Sequence, residues 1–354
     1  MKVWIDLLTP KQVMLYSKLI PMLEKSGEEV FVTTRDYKET SELLQTKRIE
    51  AVVVGKHGGA SLEGKLSASI ERMREMKGIV AKESPNIALS LSSPEAARVA
   101  FGLGIPHICI NDIPEATAQS RLSVPLSEKI VAPKLIPKEV WAKYGMPPER
   151  VVQYDALDPV AWLRDFKPSD EVLNILELKN EKIITFRTSE TNAAYLNESS
   201  NGEKVLIKPM IVEMSESFPD HRIVVLARYQ EQADEIRNMR AKRVLVPDKV
   251  VDAQSLIYHS DLFIGGGGTM TLESALLGTP TLACRPMRTF YEDYVIEKQL
   301  VSRTTKEDLF EQASDLIKRN GEHKRRQRKI AGKMIRSMED PAEVIANTVR
   351  STAI

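Results

Sequence analysis

Short apolar runs alternate along the whole chain with longer segments in which apolar residues recur at helical spacing. Gln12–Lys25 and Leu62–Lys82 are typical of helices with one buried face. The apolar runs are Val3–Leu7, Val30–Thr33, Ala51–Val54, Ile87–Leu91, His107–Ile110 and Lys129–Val131, followed later by Ile183–Phe186, Ile223–Ala227, Arg243–Val246, Leu262–Ile264 and Thr281–Cys284. Continuous apolar strands separated by amphipathic helices indicate parallel sheets covered on both faces. The pattern therefore predicts an α/β fold with two Rossmann-like halves.

The two sets of strands predict two domains, which is natural for 354 residues. Between the sets, Asp155–Pro168 carries prolines and charges that are typical of a linker rather than a strand. We therefore predict an N-terminal domain over residues 1–165 and a C-terminal domain over residues 166–338. Residues 339–354 should form a last helix that packs back on the first domain. Ligands of open α/β sheets bind outside the carboxyl ends of the strands, so the domains are expected to face each other across a cleft.

The overall charge gives no reason to expect a nucleic-acid partner. The 50 basic and 49 acidic residues leave a net charge of +1. The two cysteines, Cys109 and Cys284, are far apart and allow neither a disulfide framework nor a zinc-finger spacing. No apolar run approaches the ~20 residues that span a bilayer, and an acidic residue follows the first methionine closely. We therefore predict a cytoplasmic protein.

One segment, Gly321–Arg336, is rich in lysine and arginine. Such a run is typical of a solvated helical face. The alternative is peripheral contact with an acidic lipid surface at the inner face of the membrane, or with a phosphorylated lipid substrate. Both interpretations stay open at the level of sequence.

A four-glycine turn is the most informative local feature of the chain. It follows an apolar strand, precedes a short helix, and consists of Gly265, Gly266, Gly267 and Gly268. Free backbone N–H groups and the positive end of the helix dipole make such a turn a phosphate site. The alternative is a turn that only lets helix and strand pack closely. No Lys-Ser or Lys-Thr follows the glycines, and Met270 stands where a dinucleotide fingerprint needs its third glycine.

The order strand, glycine-rich turn, Thr-x-Thr-x-Glu, Gly-Thr-Pro and strand resembles the C-terminal half of GT-B glycosyltransferases. It is similar in particular to the MurG-like and UDP-N-acetylglucosamine 2-epimerase branches. Over nearly its full length, the chain is identified as a member of the DUF354 family of predicted glycosyltransferase-like proteins. The matching segments are Trp4–Asp6, Thr9-Pro10, Thr33–Asp36, Ser92–Ala96, Phe101–Pro106, Asn111–Ala116, Pro125–Lys129, Phe186–Thr188, Ala194-Tyr195 and the glycine turn.

This resemblance implies a nucleotide-sugar site in the second domain. The glycine turn with Thr269 and Thr271 would take the diphosphate, and Glu273 would hold the ribose hydroxyls. Arg187, just after the first strand of that domain, would reach the phosphates from the other side, since a guanidinium binds phosphate in a bidentate manner. Two alternatives stay open. Arg187 could form an ordinary surface ion pair, and Glu273 could be a charge favoured at the start of a helix.

In the first domain, Asp112 and Glu115 follow the strand His107–Ile110. A carboxylate at the carboxyl end of a strand is a candidate general base for an acceptor hydroxyl. Asp6 ends the first strand and is a further candidate. The alternative for Asp112 is that it caps a helix that begins near Pro114.

The epimerases that the family resembles use an acidic residue near the position of Ser92-Ser93 and a glutamate in a Glu-Ala-Gly motif. Here the first position is serine and the second region reads Asn111–Ala116, which favours sugar transfer over epimerisation. The histidines lack metal-ligand spacing, so no metal is expected. We predict a metal-independent glycosyltransferase that uses a UDP-sugar donor and a glycan or lipid-linked acceptor. The alternatives are an enzyme like UDP-N-acetylglucosamine 2-epimerase and a non-catalytic nucleotide-sugar-binding protein.

Overall fold

The computed structural model describes residues 1–59, 61–188, 207–266, 268–284, 288–305 and 307–352. The chain divides into two compact α/β units. The first contains Met1–Trp162 and the segment from Met338 onward, and the second contains the described residues between Leu163 and Ser337. Within the described ranges, no helix is both long and apolar enough to cross a membrane.

The first unit is built on a seven-stranded parallel sheet with the order β3-β2-β1-β4-β5-β6-β7. Its strands are β1 (Lys2–Leu7), β2 (Glu29–Asp36), β3 (Val52–Lys56), β4 (Ile87–Leu91), β5 (His107–Ile110), β6 (Lys129–Pro133) and β7 (Val151–Tyr154). The helices between them are α1 (Pro10–Lys25), α2 (Lys38–Lys47), α3 (Leu62–Glu83), α4 (Pro94–Gly102) and α5 (Thr117–Ser123), followed by α6 (Val160–Leu163). Burial of both sheet faces explains why β1, β4 and β5 are almost continuously apolar.

The second unit is built on a six-stranded parallel sheet with the order β10-β9-β8-β11-β12-β13. Its strands are β8 (Lys182–Arg187), β9 (His221–Leu226), β10 (Val244–Leu245), β11 (Leu262–Gly265), β12 (Thr281–Ala283) and β13 (Ser302–Arg303). The helices described in it are α7 (Glu171–Ile175), α8 (Ile207–Ser217), α9 (Gln230–Asn238), α10 (Ala253–His259), α11 (Thr269–Leu277), α12 (Phe290–Glu297), α13 (Leu309–Lys318) and α14 (Asn320–Ser337). Strand β8 lies between β9 and β11, so its carboxyl end meets those of both neighbours.

A last helix, α15 (Pro341–Thr352), belongs to the first unit. It packs against α1 and β7 and buries Ile345 and Val349. Arg350 donates to Ser26 Oγ at 2.8 Å, and Glu339 accepts the backbone N–H of Asp155 at 2.5 Å. The last helix therefore returns to the first unit and packs beside β7.

The segment Asp155–Pro168 forms no strand, as expected, but much of it is buried. Leu157, Asp158 and Trp162 are at most 4% exposed. Its buried apolar residues alternate with the prolines and charges that are typical of a linker. The boundary between the two units falls at Trp162 and Leu163.

The basic segment forms α14 and packs against α11. The Arg328 guanidinium lies 3.8 Å from the centroid of the Tyr258 ring and donates to the Tyr258 carbonyl at 2.9 Å. Lys324 donates to the Ser260 carbonyl at 2.6 Å. Some of the cations therefore hold the helix in place, whereas Arg325 and Lys333 are exposed. Contact with a membrane stays a prediction.

Candidate functional site

The glycine turn joins β11 to α11 at the carboxyl edge of the second sheet. Gly265 ends the strand, Gly266 follows it, and Gly268 is the N-cap of the helix. Gly267 lies outside the described residues. Gly268 has a φ of 83° and a ψ of −160°, a conformation that an L residue rarely adopts. A Cβ on Gly265 would lie 2.6 Å from the Phe263 ring, so close packing also requires glycine there.

The helix that begins at Thr269 points its N-terminus at this turn. The N–H groups of Thr271 and Leu272 donate to the Gly268 carbonyl at 3.1 and 3.4 Å, whereas those of Thr269 and Met270 have no acceptor within the helix. The Thr271 side chain lies beside them, because a Cβ on Gly265 would be 2.7 Å from its Oγ1 atom. That oxygen is buried and has no hydrogen-bond partner among the described residues. The start of α11 therefore presents donors that have no acceptor among the described residues, which is what an anion needs.

Arg187 lies directly beside the glycine turn. It ends β8, the strand next to β11, and is in register with Gly265. The Gly266 N–H donates to the Arg187 carbonyl at 3.3 Å. The guanidinium Nη1 donates to the carbonyls of Leu226 at 3.2 Å and Ala227 at 3.0 Å. These contacts fix the half-buried side chain at the edge where the turn lies.

Glu273 is buried in α11 with 3% exposure. It is the fifth residue of the helix, and the first turn contains no acidic residue, so the alternative of a helix-start charge does not apply. Its Oε1 accepts a hydrogen bond of 2.8 Å from Nε2 of Gln254 on α10. Gln254 was missed at the level of sequence because nothing local marks a residue nineteen positions earlier as a partner.

In the first unit, Asp112 is part of a buried ion-pair cluster. Lys11, the second residue of α1, forms an ion pair with Asp112 and another with Asp158, the latter with an Nζ–Oδ2 distance of 2.6 Å. Tyr154, at the end of β7, donates from its hydroxyl to Asp158 Oδ1 at 2.6 Å. The side chain of Asp112 is 12% exposed and that of Asp158 is 2% exposed, so Asp112 is the more accessible of the two carboxylates.

Burial and ion pairing have opposite effects on the pKa values of this cluster. Burial raises the pKa of Asp158, and the nearby Asp112 charge raises it further, while Lys11 opposes both. Burial alone would lower the pKa of Lys11, but the two carboxylates outweigh it and raise that pKa. Burial and Asp158 also raise the pKa of Tyr154 well above its ordinary value. The cluster therefore keeps one cation between two acids, and the tyrosine stays neutral.

The alternative that Asp112 caps a helix near Pro114 is wrong. The helix α5 begins at Thr117, and its N-cap is Ala116, which offers no side-chain cap. Residues 114 and 115 form a turn, in which Glu115 is partly buried. The loop is held by Asn111, whose Oδ1 accepts the N–H of Ile113 at 2.9 Å. Asp112 is therefore held by the ion pair rather than by a helix end.

Asp6 lies in a separate buried network. Arg72 of α3 donates to both of its carboxylate oxygens, at 2.6 and 3.0 Å. Thr33 and Ser93 donate to it at 2.7 and 2.6 Å. Burial alone would raise the pKa of Asp6, but the Arg72 charge and these donors lower it. With every oxygen engaged and 1% exposure, Asp6 is poorly placed to accept a substrate proton.

Ser92 and Ser93 also have structural partners. Ser93 caps α4, accepting the Ala96 N–H at 3.2 Å, and donates to Asp6. Ser92 donates to the Ile110 carbonyl at 3.1 Å. Neither hydroxyl is arranged as an acid or base. In the parts of the chain that the structure describes, no three His, Cys, Asp or Glu side chains group as a metal site requires.

The chain is similar in sequence to a protein family and to a relative from an archaeon. A family model described as "Protein of unknown function (DUF354)" matches residues 1–353. An uncharacterized protein of Methanocaldococcus jannaschii, MJ0665, is 33% identical over 308 residues, which cover 85% of this chain and 87% of that protein.

Solved structures resemble the chain over nearly its full length. UDP-GlcNAc 2-epimerase from Neisseria meningitidis bound to UDP-GlcNAc aligns with a TM-score of 0.76 at 18% identity, covering 99% of this chain and 100% of that one. The glycotransferase of kitacinnamycin aligns with a TM-score of 0.59 at 14% identity, covering 99% and 98%. At these identities the likeness shows the fold, which is that of GT-B proteins with two parallel-sheet α/β domains. By its match over residues 1–353, the chain belongs to the DUF354 family.

Proposed function

We propose that this protein is a glycosyltransferase that moves a sugar from a nucleoside-diphosphate sugar, most simply a UDP-sugar, to an acceptor hydroxyl. The observation that carries the proposal is the register of Arg187 with Gly265 on neighbouring strands, beside a helix N-terminus. A guanidinium, free N–H groups and a helix dipole converge there, and together they suit a diphosphate. The solved relative bound to UDP-GlcNAc supports the same ligand class.

The second unit would hold the donor. The glycine turn, Thr269 and Thr271 contact the diphosphate, and Arg187 approaches it from the neighbouring strand. Glu273 accepts hydrogen bonds from the ribose hydroxyls, with its carboxylate oriented by Gln254. As the bond between the anomeric carbon and the diphosphate breaks, negative charge grows on the leaving oxygen. The helix N-terminus and Arg187 stabilise that charge, so the proposed reaction uses no metal.

The first unit would supply the base. Asp112 accepts the proton of the acceptor hydroxyl while the oxygen attacks the anomeric carbon. Lys11 holds the carboxylate in place through the ion pair. Glu115, three residues further along the same loop, is a second candidate for the base. Asp6 is left out because its oxygens are already engaged by Arg72, Thr33 and Ser93.

Transfer is favoured over epimerisation by the two serines. Epimerisation requires an acid and a base that act on the sugar itself. Ser93 is engaged in the cap of α4 and with Asp6, and Ser92 with the Ile110 carbonyl. The fold likeness to 2-epimerases keeps that reaction as the alternative outcome of the test.

Incubation with UDP-GlcNAc and related UDP-sugars in the absence of an acceptor, followed by chromatography, tests the proposal. We expect tight UDP binding and slow hydrolysis of the donor, without a change of the sugar configuration. A changed sugar would show an epimerase, and binding without any turnover in the presence of a broad glycan panel would show a non-catalytic protein.

Asp112→Asn identifies the base. It should reduce turnover by ~10²–10⁴ while UDP affinity stays within error, because a positioned base contributes about that factor. The exposed Asp165→Asn is the matched control and should behave as wild type. Full turnover in Asp112→Asn would show that Asp112 is not the base, and Glu115 would be the next candidate.

A further inference from the structure

Arg35, near the carboxyl end of β2, is a half-buried cation that forms no ion pair with any carboxylate in the described chain. Its Nε atom is inaccessible to solvent and has no hydrogen-bond partner among the described residues. Its guanidinium forms no ion pair in that same part of the chain. A buried guanidinium N–H without an acceptor is costly, and an unsatisfied donor at the ligand-binding edge of a sheet calls for an explanation.

The neighbouring charges do not provide that acceptor. Thr33 and Arg35 lie on the same face of β2, and Thr33 donates to Asp6. Both carboxylate oxygens of Asp6 accept hydrogen bonds from Arg72, so Asp6 is poorly placed to accept from a second guanidinium. Glu95, in the first turn of α4, acts on Arg35 electrostatically but forms no ion pair with it. The guanidinium groups of Arg72 and Arg35 therefore lie near each other. Among the described residues, that of Arg72 is paired with a carboxylate and that of Arg35 is not.

The position of Arg35 relative to the predicted base suggests what its partner is. Strand β2 is separated from β5 by β1 and β4 in the first sheet. Three interstrand steps of roughly 4.8 Å place the carboxyl ends of β2 and β5 about 14 Å apart. Asp112 follows β5, and both residues belong to the same sheet edge of the same unit. A single extended molecule can therefore contact both.

We propose that Arg35 binds an oxyanion, a phosphate or a carboxylate, carried by the acceptor at a distance from the hydroxyl that receives the sugar. This inference rests on the proposed function, because it assumes that the acceptor binds at the first unit. The edge of a guanidinium that contains Nε offers two parallel N–H groups, which match two oxygens of either anion. The acceptor is then anionic and longer than a single sugar ring.

The test uses NMR of the full-length protein saturated with UDP, so that the phosphate site proposed in the second unit is already occupied. Inorganic phosphate and acetate are titrated separately, and the arginine Nε–Hε resonances are followed. The Arg35 signal is identified as the one missing from Arg35→Gln. We expect it to shift with at least one of the two anions, and the anion that shifts it identifies the acceptor group as phosphate or carboxylate.

The variants give the affinity. Arg35→Gln should weaken anion binding about tenfold or more, as expected for the loss of a charged hydrogen bond. Arg98→Gln, which removes an exposed arginine from the neighbouring α4, is the matched control and should leave binding unchanged. Should Arg35→Gln fold poorly, Arg35→Lys keeps the charge without the fork and should bind more weakly than wild type.

An Arg35 signal that does not respond to either anion, or equal anion affinity in Arg35→Gln and wild type, overturns the inference. The failure of UDP to bind wild type would instead count against the proposed function. The two outcomes are therefore distinguishable in one experiment.

Discussion

Lys11 Nζ lies 2.6 Å from Asp158 Oδ2 and also pairs with Asp112, so one cation serves two carboxylates. The three residues come from α1, from the loop after β5 and from the segment after β7. A buried lysine is tolerated because it is paired, and a buried aspartate is tolerated for the same reason. The two carboxylates therefore raise the pKa of Lys11 and keep it charged, and Lys11 opposes the rise that burial causes in the pKa of Asp158.

This relationship predicts a strong coupling in stability. Lys11→Met leaves two acids without a cation and should lower the free energy of unfolding by ~3–5 kcal/mol, the usual cost of breaking a buried pair. Asp158→Asn should restore part of that loss in the double variant. Urea unfolding of the two single variants and the double variant measures the coupling. Simple additivity of the two changes would show that the pair is not energetically linked.

The backbone conformation of the glycine turn provides a second prediction. Gly268→Ala adds no steric clash but strains a φ of 83°, and should shift the start of α11 and weaken UDP binding. Gly27→Ala is the matched control, because Gly27 has a φ of 91° and open space around its Cβ. Both variants should lose some stability in thermal melts. Calorimetry should detect a loss of affinity in Gly268→Ala alone, and equal UDP affinities would remove the turn from the donor site.

Glu273 and Gln254 predict discrimination between ribose and deoxyribose. Glu273→Gln should reduce the affinity for UDP by ~1–3 kcal/mol, because an amide accepts more weakly from two hydroxyls. The loss should be much smaller for 2′-deoxy-UDP. Gln254→Leu should show the same pattern more mildly, since it removes the hydrogen bond to Glu273 Oε1. Exposed Glu297→Gln serves as the control in the same titrations, and a similar loss for both ligands would separate Glu273 from the ribose.

His107 predicts how stability depends on pH. Burial lowers its pKa to about 4, and its ring contacts Ser90 at 2.9 Å and Ser127 at 2.8 Å. Below a pH of about 6.5, His107 takes up a proton in the unfolded chain, whereas in the folded protein it stays neutral until the pH approaches about 4. The folded state therefore loses stability as the pH falls from about 6.5 to about 4, by up to about 3 kcal/mol.

His107→Gln removes that proton uptake, whatever its effect at neutral pH. Urea unfolding at several pH values should give a flatter dependence for the variant across this window. Parallel curves for variant and wild type would assign the acid sensitivity to other groups.

The sequence predicts the strands well where they are long and buried. Each apolar run expected as a strand overlaps one, from β1 through β6 and from β8 through β12. Two strands were not expected. In β7, Val151–Tyr154 places a glutamine between apolar residues at the sheet edge, and β13 has two residues and is partly exposed. Edge strands bury less surface, so their sequences carry a weaker apolar signal.

In the candidate site, too, some features could be predicted from the sequence and others could not. Residues at strand ends, such as Arg187 and Gly265, could be expected at one sheet edge because parallel strands share their carboxyl ends. Side-chain partners could not be predicted in this way. Lys11 and Asp158 sit far apart in sequence, and nothing local marks either as the partner of Asp112. The same holds for Arg72, whose pairing with Asp6 depends on the way α3 packs.

The position of α15 bears on how the protein is made. The first unit needs this helix, which packs on α1 and β7 and buries Ile345 and Val349. On the ribosome, all of the second unit is synthesised before α15 appears. The second unit can therefore fold during translation, whereas the first must wait with an apolar surface uncovered. A stalled or truncated chain would expose that surface, and chaperones would be expected to bind there.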